Sequence, residues 1–136
     1  MHSVLVIDDE KFISDSLGKA LKKHGYKVET ASSGREGMQK FDGGPYDLVI
    51  TDLLMPDLDG MAVLQHIRGS KKPSTPVIGI SGTPWLLKED CFDAVLAKPF
   101  SIHTMLAVLE KLRPRLEETL DEIISGVQQV TDPEGG

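Results

Sequence analysis

Short apolar runs recur along the chain, and each is followed by a stretch in which apolar residues have helical spacing. The runs are Val4–Ile7, Leu48–Thr51 and Pro76–Ile80, with weaker ones at Tyr26–Ala31 and Ala94–Ala97. Continuous β-branched runs of this length are typical of strands buried on both faces. The alternation predicts an α/β fold, a doubly wound five-stranded parallel sheet with helices on both faces, joined by right-handed crossovers.

Residues that favour helix ends mark the boundaries of the intervening helices. We expect the first helix to end at Gly25 and the second to begin after Ser33. The third should stop before Gly69, and the last should begin after Ser101.

Composition excludes several classes of function. The chain has 136 residues and a formal net charge of −6, which argues against non-specific binding to nucleic acid. Cys91 is the one cysteine, so no internal disulfide can form. The first ten residues lack the basic region of a signal peptide, and no apolar stretch approaches about 20 residues. We therefore expect a cytoplasmic protein that binds neither nucleic acid nor membrane directly.

Polar residues stand where four of the predicted strands end. Asp8 and Asp9 follow the first strand, Asp52 the third, Ser81 the fourth and Lys98 the fifth. A single aspartate at such a position is usually a turn former or a helix cap. Ligands of open parallel sheets bind at the carboxyl ends of the strands, and all five residues are predicted at that edge. Their coincidence favours a functional site.

The types of side chain indicate the chemistry of that site. Three carboxylates in contact repel one another unless a cation joins them or protons remain. Oxygen ligands with a few retained waters suit Mg²⁺. A divalent ion, the Lys98 ammonium and the Ser81 hydroxyl would together suit phosphoryl transfer, with the Asp52 carboxylate as nucleophile.

Four motifs carry a resemblance to a known family. They are VLVIDDE at 4–10, VITDLLMPDLDG at 49–60, VIGISG at 77–82 and AKPF at 97–100. With these motifs the chain resembles the receiver domains of two-component response regulators, which act in phosphorelay signalling. The resemblance covers about residues 3–112 and implies the flavodoxin-like receiver fold.

The resemblance also implies a phospho-acceptor and a metal site. Asp52 would accept the phosphoryl group and become an aspartyl phosphate. Asp9 would ligate Mg²⁺ directly and Asp8 through a water molecule. Asp52 and the backbone carbonyl of Leu54 would complete the protein ligands.

Lys98 and Ser81 would contact the bound phosphoryl group, the lysine by ion pairing and the serine by a hydrogen bond. The Lys98–Pro99 peptide is expected to be cis, and Asp59 is expected to be the N-cap of the third helix. The phosphoryl donor would be a sensor histidine kinase or a histidine phosphotransfer protein. Signalling would follow from altered contacts with a downstream protein. The chain would not be an enzyme beyond catalysing its own phosphorylation and dephosphorylation.

Two departures from the family pattern leave an alternative open. Val95 stands where the family often has an aromatic switch residue. Ser81 and Lys98 are only 17 positions apart, which predicts a shortened fourth helix. Both features favour a receiver-like scaffold that works without phosphorylation, whereas the intact acidic residues argue against it. A small metal-dependent phosphohydrolase would want a second acid at position 54, where Leu54 stands.

The end of the chain is predicted to extend beyond the receiver domain. We expect the domain to span 1–112, a helical extension to span 113–130 and a disordered tail to span 131–136. Apolar residues across 106–130 follow steps of three and four, as in a coiled coil. This stripe would either fold back on the domain or pair with a second copy. We favour a homodimer through residues 106–130.

Overall fold

The computed structural model describes residues 2–82 and 91–112. The predicted shortened fourth helix falls on residues 83–90, outside the described ranges. The same holds for the predicted helical extension and the disordered tail, which fall on 113–136.

Five strands and four helices form in the described ranges, in the predicted order. The strands are β1 (Ser3–Ile7), β2 (Lys27–Ala31), β3 (Leu48–Asp52), β4 (Val77–Ser81) and β5 (Ala94–Ala97). The helices are α1 (Lys11–Lys23), α2 (Gly34–Gly43) and α3 (Gly60–Arg68), and residues 102–112 form a C-terminal helix. All five predicted strands are therefore confirmed.

The sheet is entirely parallel, with the strand order β2-β1-β3-β4-β5. The chain moves one way from β1 to β2 and the opposite way from β2 to β3 and β4. Right-handed crossovers therefore put α1 on one face of the sheet and α2 and α3 on the other. In agreement, α2 packs against α3, and α1 contacts β1 and β2.

The helix ends follow the local signals in the sequence. The Ser33 hydroxyl accepts the Glu36 backbone N–H and caps α2, and Asp59 accepts the Ala62 N–H at 2.9 Å and caps α3. Gly25, just beyond α1, has a φ of 93°, the left-handed conformation that glycine adopts without a steric penalty. These three predicted boundaries are confirmed.

Both faces of the sheet are buried, as the continuous apolar strands predicted. One face contributes Leu5, Ile7, Val49 and Val77 to a core shared with Phe41 of α2 and with Val63, Leu64 and Ile67 of α3. The alternate residues of the same strands are equally inaccessible on the other face, namely Val4, Val6, Leu48, Ile50, Ile78 and Ile80. Burial on both faces leaves only the strand ends for polar chemistry.

A cluster of hydrogen bonds around Arg68 lies at the amino-terminal ends of β4 and β5. The Arg68 guanidinium donates to the carbonyls of Pro73 and Thr75 at 2.9 and 2.6 Å and to Asp93 at 2.9 Å. The same Asp93 oxygen accepts the Val77 N–H at 2.7 Å. One guanidinium thus joins the end of α3 to the starts of two strands.

The chain divides into two compact units, Met1–Ile102 and His103–Gly136. The first unit contains the whole sheet and α1 to α3. Within the second, Met105 and Leu109 of the C-terminal helix are buried. The predicted domain end at residue 112 stays a prediction. No helix in the described part of the chain is long and apolar enough to cross a membrane.

Candidate functional site

The carboxyl-terminal edge of the sheet brings together polar residues from four strands. Asp8 directly follows β1, Asp52 and Ser81 are the last residues of β3 and β4, and Lys98 directly follows β5. The register explains this meeting, because Asp52 lies opposite Ile80, the residue before Ser81, and Ser81 lies opposite Ala97. Strand pairing alone therefore aligns residues that are far apart in the sequence.

Lys98 is the centre of the cluster. Its ammonium lies 3.0 Å from Asp52 Oδ2, 3.3 Å from Glu10 Oε1 and 3.7 Å from Asp8 Oδ2. Its backbone N–H donates to the Ser81 carbonyl at 2.8 Å, which continues the β4–β5 ladder to the site. The Lys98–Pro99 peptide bond is cis, as predicted.

Charge on Lys98 is favoured by its neighbours in spite of burial. Burial by itself disfavours the ammonium, but the hydrogen bond and charge of Asp52, together with Asp8 and Glu10, raise the Lys98 pKa above its usual value. The lysine is therefore a cation at neutral pH beside the Asp52 carboxylate.

Asp52 is almost inaccessible, with 4% of its surface exposed. Its Oδ2 accepts from Lys98, and its Oδ1 accepts the Leu54 backbone N–H at 3.3 Å. The Leu54 side chain is 69% exposed. The loop after β3 thus holds the Asp52 carboxylate with its backbone while the Leu54 side chain points away into solvent.

Asp8 is the most deeply buried carboxylate of the site, with 1% of its surface exposed. Its Oδ1 accepts the Glu10 N–H at 2.8 Å, but among the described residues its Oδ2 has no hydrogen-bond partner. Burial raises the Asp8 pKa to about 6; the Glu10 N–H opposes this, the Asp52 charge adds to it, and Lys98 opposes it. An unsatisfied buried oxygen is costly, so this atom is suited to a ligand.

Glu10 belongs to the site, although the sequence analysis did not single it out. Carboxylate oxygens of Asp8, Glu10 and Asp52 all lie within 4.8 Å of one another. Asp9, the predicted direct metal ligand, is exposed and is not one of these three. The available signal was the run of three acids in IDDE, directly before α1.

The charges and donor atoms of this group fit a divalent cation. Three carboxylates and one ammonium leave two negative charges uncompensated when all four groups are ionised. One divalent ion would balance them and would also contact Asp8 Oδ2, which lies 3.7 Å from the Lys98 ammonium but has no hydrogen bond among the described residues. Carboxylate oxygens on a partly exposed rim are the ligands that Mg²⁺ prefers.

Ser81 lies at the end of β4 and Val95 lies within β5, the strands that follow β3 in the sheet. Ser81 is 2% exposed and lies one position beyond the residue paired with Asp52. Val95 lies on β5, half-buried against the hydrophobic core. At the position where the family often carries an aromatic residue, this chain therefore has an ordinary core side chain.

Comparison with known proteins gives a family match for most of the chain. The family described as response regulator receiver domain matches residues 4–110. The sensor histidine kinase AtsR of Burkholderia thailandensis is 32% identical over 116 residues, which are 80% of this chain and 19% of that protein. The transcriptional regulatory protein TrcR of Mycobacterium tuberculosis is 31% identical over 129 residues, 89% of this chain and 50% of that protein. The chain thus spans half or less of the length of these two relatives.

Solved structures match nearly over their whole length. The chemotaxis response regulator CheY4 of Vibrio cholerae superposes with a TM-score of 0.77 at 29% identity, covering 82% of this chain and 98% of that one. The response regulator TrrA of Thermotoga maritima, solved in complex with Mg²⁺-BeF, gives 0.74 at 34% identity, covering 82% and 99%. The flavodoxin-like fold predicted from the sequence is confirmed.

Proposed function

Because the chain belongs to the response regulator receiver domain family, we propose that Asp52 accepts a phosphoryl group from a phosphohistidine in the presence of Mg²⁺. The observation that carries this proposal is the position of the nearly buried Asp52 carboxylate. It lies 3.0 Å from the Lys98 ammonium and among three carboxylates whose combined negative charge this one ammonium does not balance. Such an arrangement neutralises charge around a transferring phosphoryl group, which is the main task of the protein in this chemistry.

The transfer forms one bond and breaks another. An Asp52 oxygen attacks phosphorus, and the bond between phosphorus and the donor's imidazole nitrogen breaks. The imidazole keeps the electron pair and takes a proton from solvent. The product is an acyl phosphate on Asp52, with Lys98 and Ser81 as partners for the phosphoryl oxygens.

We assign the metal to the carboxylates beside Asp52. Mg²⁺ would neutralise charge on the phosphoryl oxygens. The family resemblance assigns Asp9, Asp52 and the Leu54 carbonyl as direct ligands and Asp8 as a ligand through water. The Asp8 oxygen without a hydrogen bond supports a ligand at this point, and the position of Glu10 makes it an additional candidate.

Comparing Glu10→Gln with Asp9→Asn in a Mg²⁺ titration tells these two carboxylates apart. The resemblance predicts the larger loss of affinity for Asp9→Asn. A larger loss for Glu10→Gln would give Glu10 the direct role.

The partners follow from the reaction. The donor would be a sensor histidine kinase or a histidine phosphotransfer protein in the cytoplasm, and the output would be a changed contact with a downstream protein. The chain would catalyse no reaction other than its own phosphorylation and dephosphorylation.

Intact mass measurement tests the proposal directly. The protein is incubated with acetyl phosphate and Mg²⁺ beside two variants, Asp52→Asn and the surface control Asp15→Asn. Wild type and Asp15→Asn should gain the mass of one phosphoryl group, and Asp52→Asn should gain none. A wild-type chain that binds Mg²⁺ without gaining mass would contradict the proposal and favour the phosphorylation-independent scaffold, with Val95 as the leading explanation.

A further inference from the structure

We propose that Asp57 is a positioning residue for Asp52, because it fastens the loop between β3 and α3 to the amino terminus of α2. This inference rests on the proposed function, since it concerns the same carboxylate. Asp57 follows the Met55–Pro56 dipeptide within the loop, and no role for it was predicted from the sequence.

Both carboxylate oxygens of Asp57 are used in the contact with α2. Oδ1 accepts the Gly34 N–H at 3.1 Å, and Oδ2 accepts the Arg35 N–H at 2.9 Å. These are two of the first helical N–H groups, which have no partner within a helix. The Ser33 hydroxyl serves a different group, the Glu36 N–H. Asp57 is therefore a second cap on α2, supplied by a segment more than twenty residues away.

The charge on Asp57 suits this contact. The hydrogen bond from Arg35 lowers the Asp57 pKa, burial opposes this shift, and the Gly34 N–H lowers the pKa further. The positive end of the α2 dipole favours the same ionised form. The contact between Asp57 and the start of α2 is therefore made by a carboxylate rather than a carboxylic acid at neutral pH.

Close packing brings the loop against the same helix end. A Cβ atom on Gly34 would lie 2.9 Å from Leu58 Cβ and 3.4 Å from Met55 Cε. Real Cβ atoms essentially never lie within 3.0 Å of a neighbour, so a side chain at position 34 would collide with Leu58. The loop therefore rests on the surface that the missing Gly34 side chain leaves free. Hydrogen bonding and packing thus fix the same loop independently.

The other end of the loop is tied to the site. The Leu54 N–H donates to Asp52 Oδ1 at 3.3 Å, and the Leu53 carbonyl accepts the Gly60 N–H at 3.0 Å. Between these two bonds, Asp57 supplies the side-chain hydrogen bonds that join the loop to α2. Movement of the loop would shift the Leu54 amide and its predicted metal-binding carbonyl together. Asp57 therefore acts on Asp52 through Leu54.

A purely structural role is the competing explanation, in which Asp57 only stabilises α2. The matched control is Ser33→Ala, because it removes a cap from the same helix end without releasing the loop. Two quantities separate the explanations: hydrogen exchange of the Leu54 amide, measured relative to that of the core residue Val49, and the Kd for Mg²⁺ measured by calorimetry.

Asp57→Ala should speed Leu54 exchange relative to Val49 by about tenfold, because the loop opens locally. It should also weaken Mg²⁺ binding by about tenfold, the lower end of the loss in affinity when a group that orients metal ligands is removed. Asp57→Asn keeps one accepting oxygen and should recover part of both losses. Ser33→Ala should leave both quantities within about twofold of wild type.

A second pair of variants tests the packing contact. Gly34→Ala forces the loop away from α2, whereas Gly43→Ala, at the other end of the same helix, adds a methyl group with nothing within 4 Å. Only Gly34→Ala should reproduce the Asp57→Ala phenotype.

The positioning role is refuted if Asp57→Ala changes Leu54 exchange and Mg²⁺ affinity no more than Ser33→Ala does. A wild-type chain that binds no Mg²⁺ would instead refute the metal-dependent function. In that case the Leu54 exchange ratio alone judges the role of Asp57, so the two failures are distinguishable.

Discussion

At the scale of single residues, Asp8 is the carboxyl group of the site whose ionisation is costly, because burial disfavours its charged form. It is a carboxylate with 1% exposure, an oxygen without a hydrogen bond, and a pKa of about 6. On the proposed function, this cost reflects a position that suits a bound cation rather than the stability of the metal-free chain. Its effects on stability and on metal binding should therefore have opposite signs.

Asp8→Asn should stabilise the metal-free protein at neutral pH. The folded state holds the Asp8 proton up to about pH 6, whereas the unfolded state loses it near 3.8, so wild-type stability falls as pH rises between these values. The asparagine variant lacks this loss, so its free energy of unfolding at pH 7.5 should be about 3 kcal/mol higher than that of the wild type. Urea unfolding at pH 5 and pH 7.5 without metal, with Asp15→Asn as control, measures the difference. A gain no larger at pH 7.5 than at pH 5 would contradict the assignment to Asp8 ionisation.

Leu54 is expected to set the lifetime of the phosphorylated state. Its exposed apolar side chain offers nothing to orient a water molecule for attack on the acyl phosphate. Leu54→Asn supplies an amide at the same place and should speed dephosphorylation, while Leu54→Met should not. Decay of the phosphorylated mass after removal of acetyl phosphate gives the rates, and equal rates for the two variants would remove the hypothesis.

At the scale of secondary-structure elements, local sequence signals predict where helices begin and end. They do not predict which residues of different elements are in contact. Ser33, Asp59 and Gly25 end helices through bonds or dihedral angles within a few residues, so their sequence neighbourhood reveals them. Glu10 and Asp57 act on Lys98 and on α2, at separations of 88 and about 22 residues. Periodicity carries no such information, so the contacts of both residues became apparent only in the folded chain.

The Arg68 cluster predicts a purely structural effect at the opposite edge of the sheet. Arg68→Ala removes three hydrogen bonds and leaves Asp93, whose side chain is 10% exposed, without its guanidinium. We expect a loss of about 2 kcal/mol in the free energy of unfolding. Lys71→Ala, in the exposed loop nearby, serves as control. Urea denaturation measures both variants, and a loss equal to that of Lys71→Ala would contradict the proposed role of the cluster.

At the scale of the whole molecule, the strand order explains why the position of the site could be predicted. Parallel strands place all their carboxyl ends at one edge, so residues ending four different strands had to meet once the topology was fixed. The geometry within that edge could not be predicted in the same way. Strand positions alone do not reveal that Asp9 is exposed and that Glu10 reaches the lysine.

The apolar stripe over residues 106–130 predicts association of two chains. Sedimentation of the full chain beside a chain ending at Leu112 tests this, and we expect a dimer for the full chain and a monomer for the shorter one. Equal association states would exclude dimerisation through the stripe and leave the fold-back alternative.

Arg68 and Lys98 differ in how well their positive charges are matched by their partners, and this difference matters for engineering the protein. At the amino-terminal edge one guanidinium is matched by its acceptors, whereas at the other edge one ammonium faces an excess of acid. We therefore expect Arg68 to affect the free energy of unfolding alone, whereas the group around Lys98 should affect both unfolding and the proposed phosphoryl chemistry. Substitutions around Arg68 should therefore change the free energy of unfolding without changing the proposed phosphoryl transfer to Asp52.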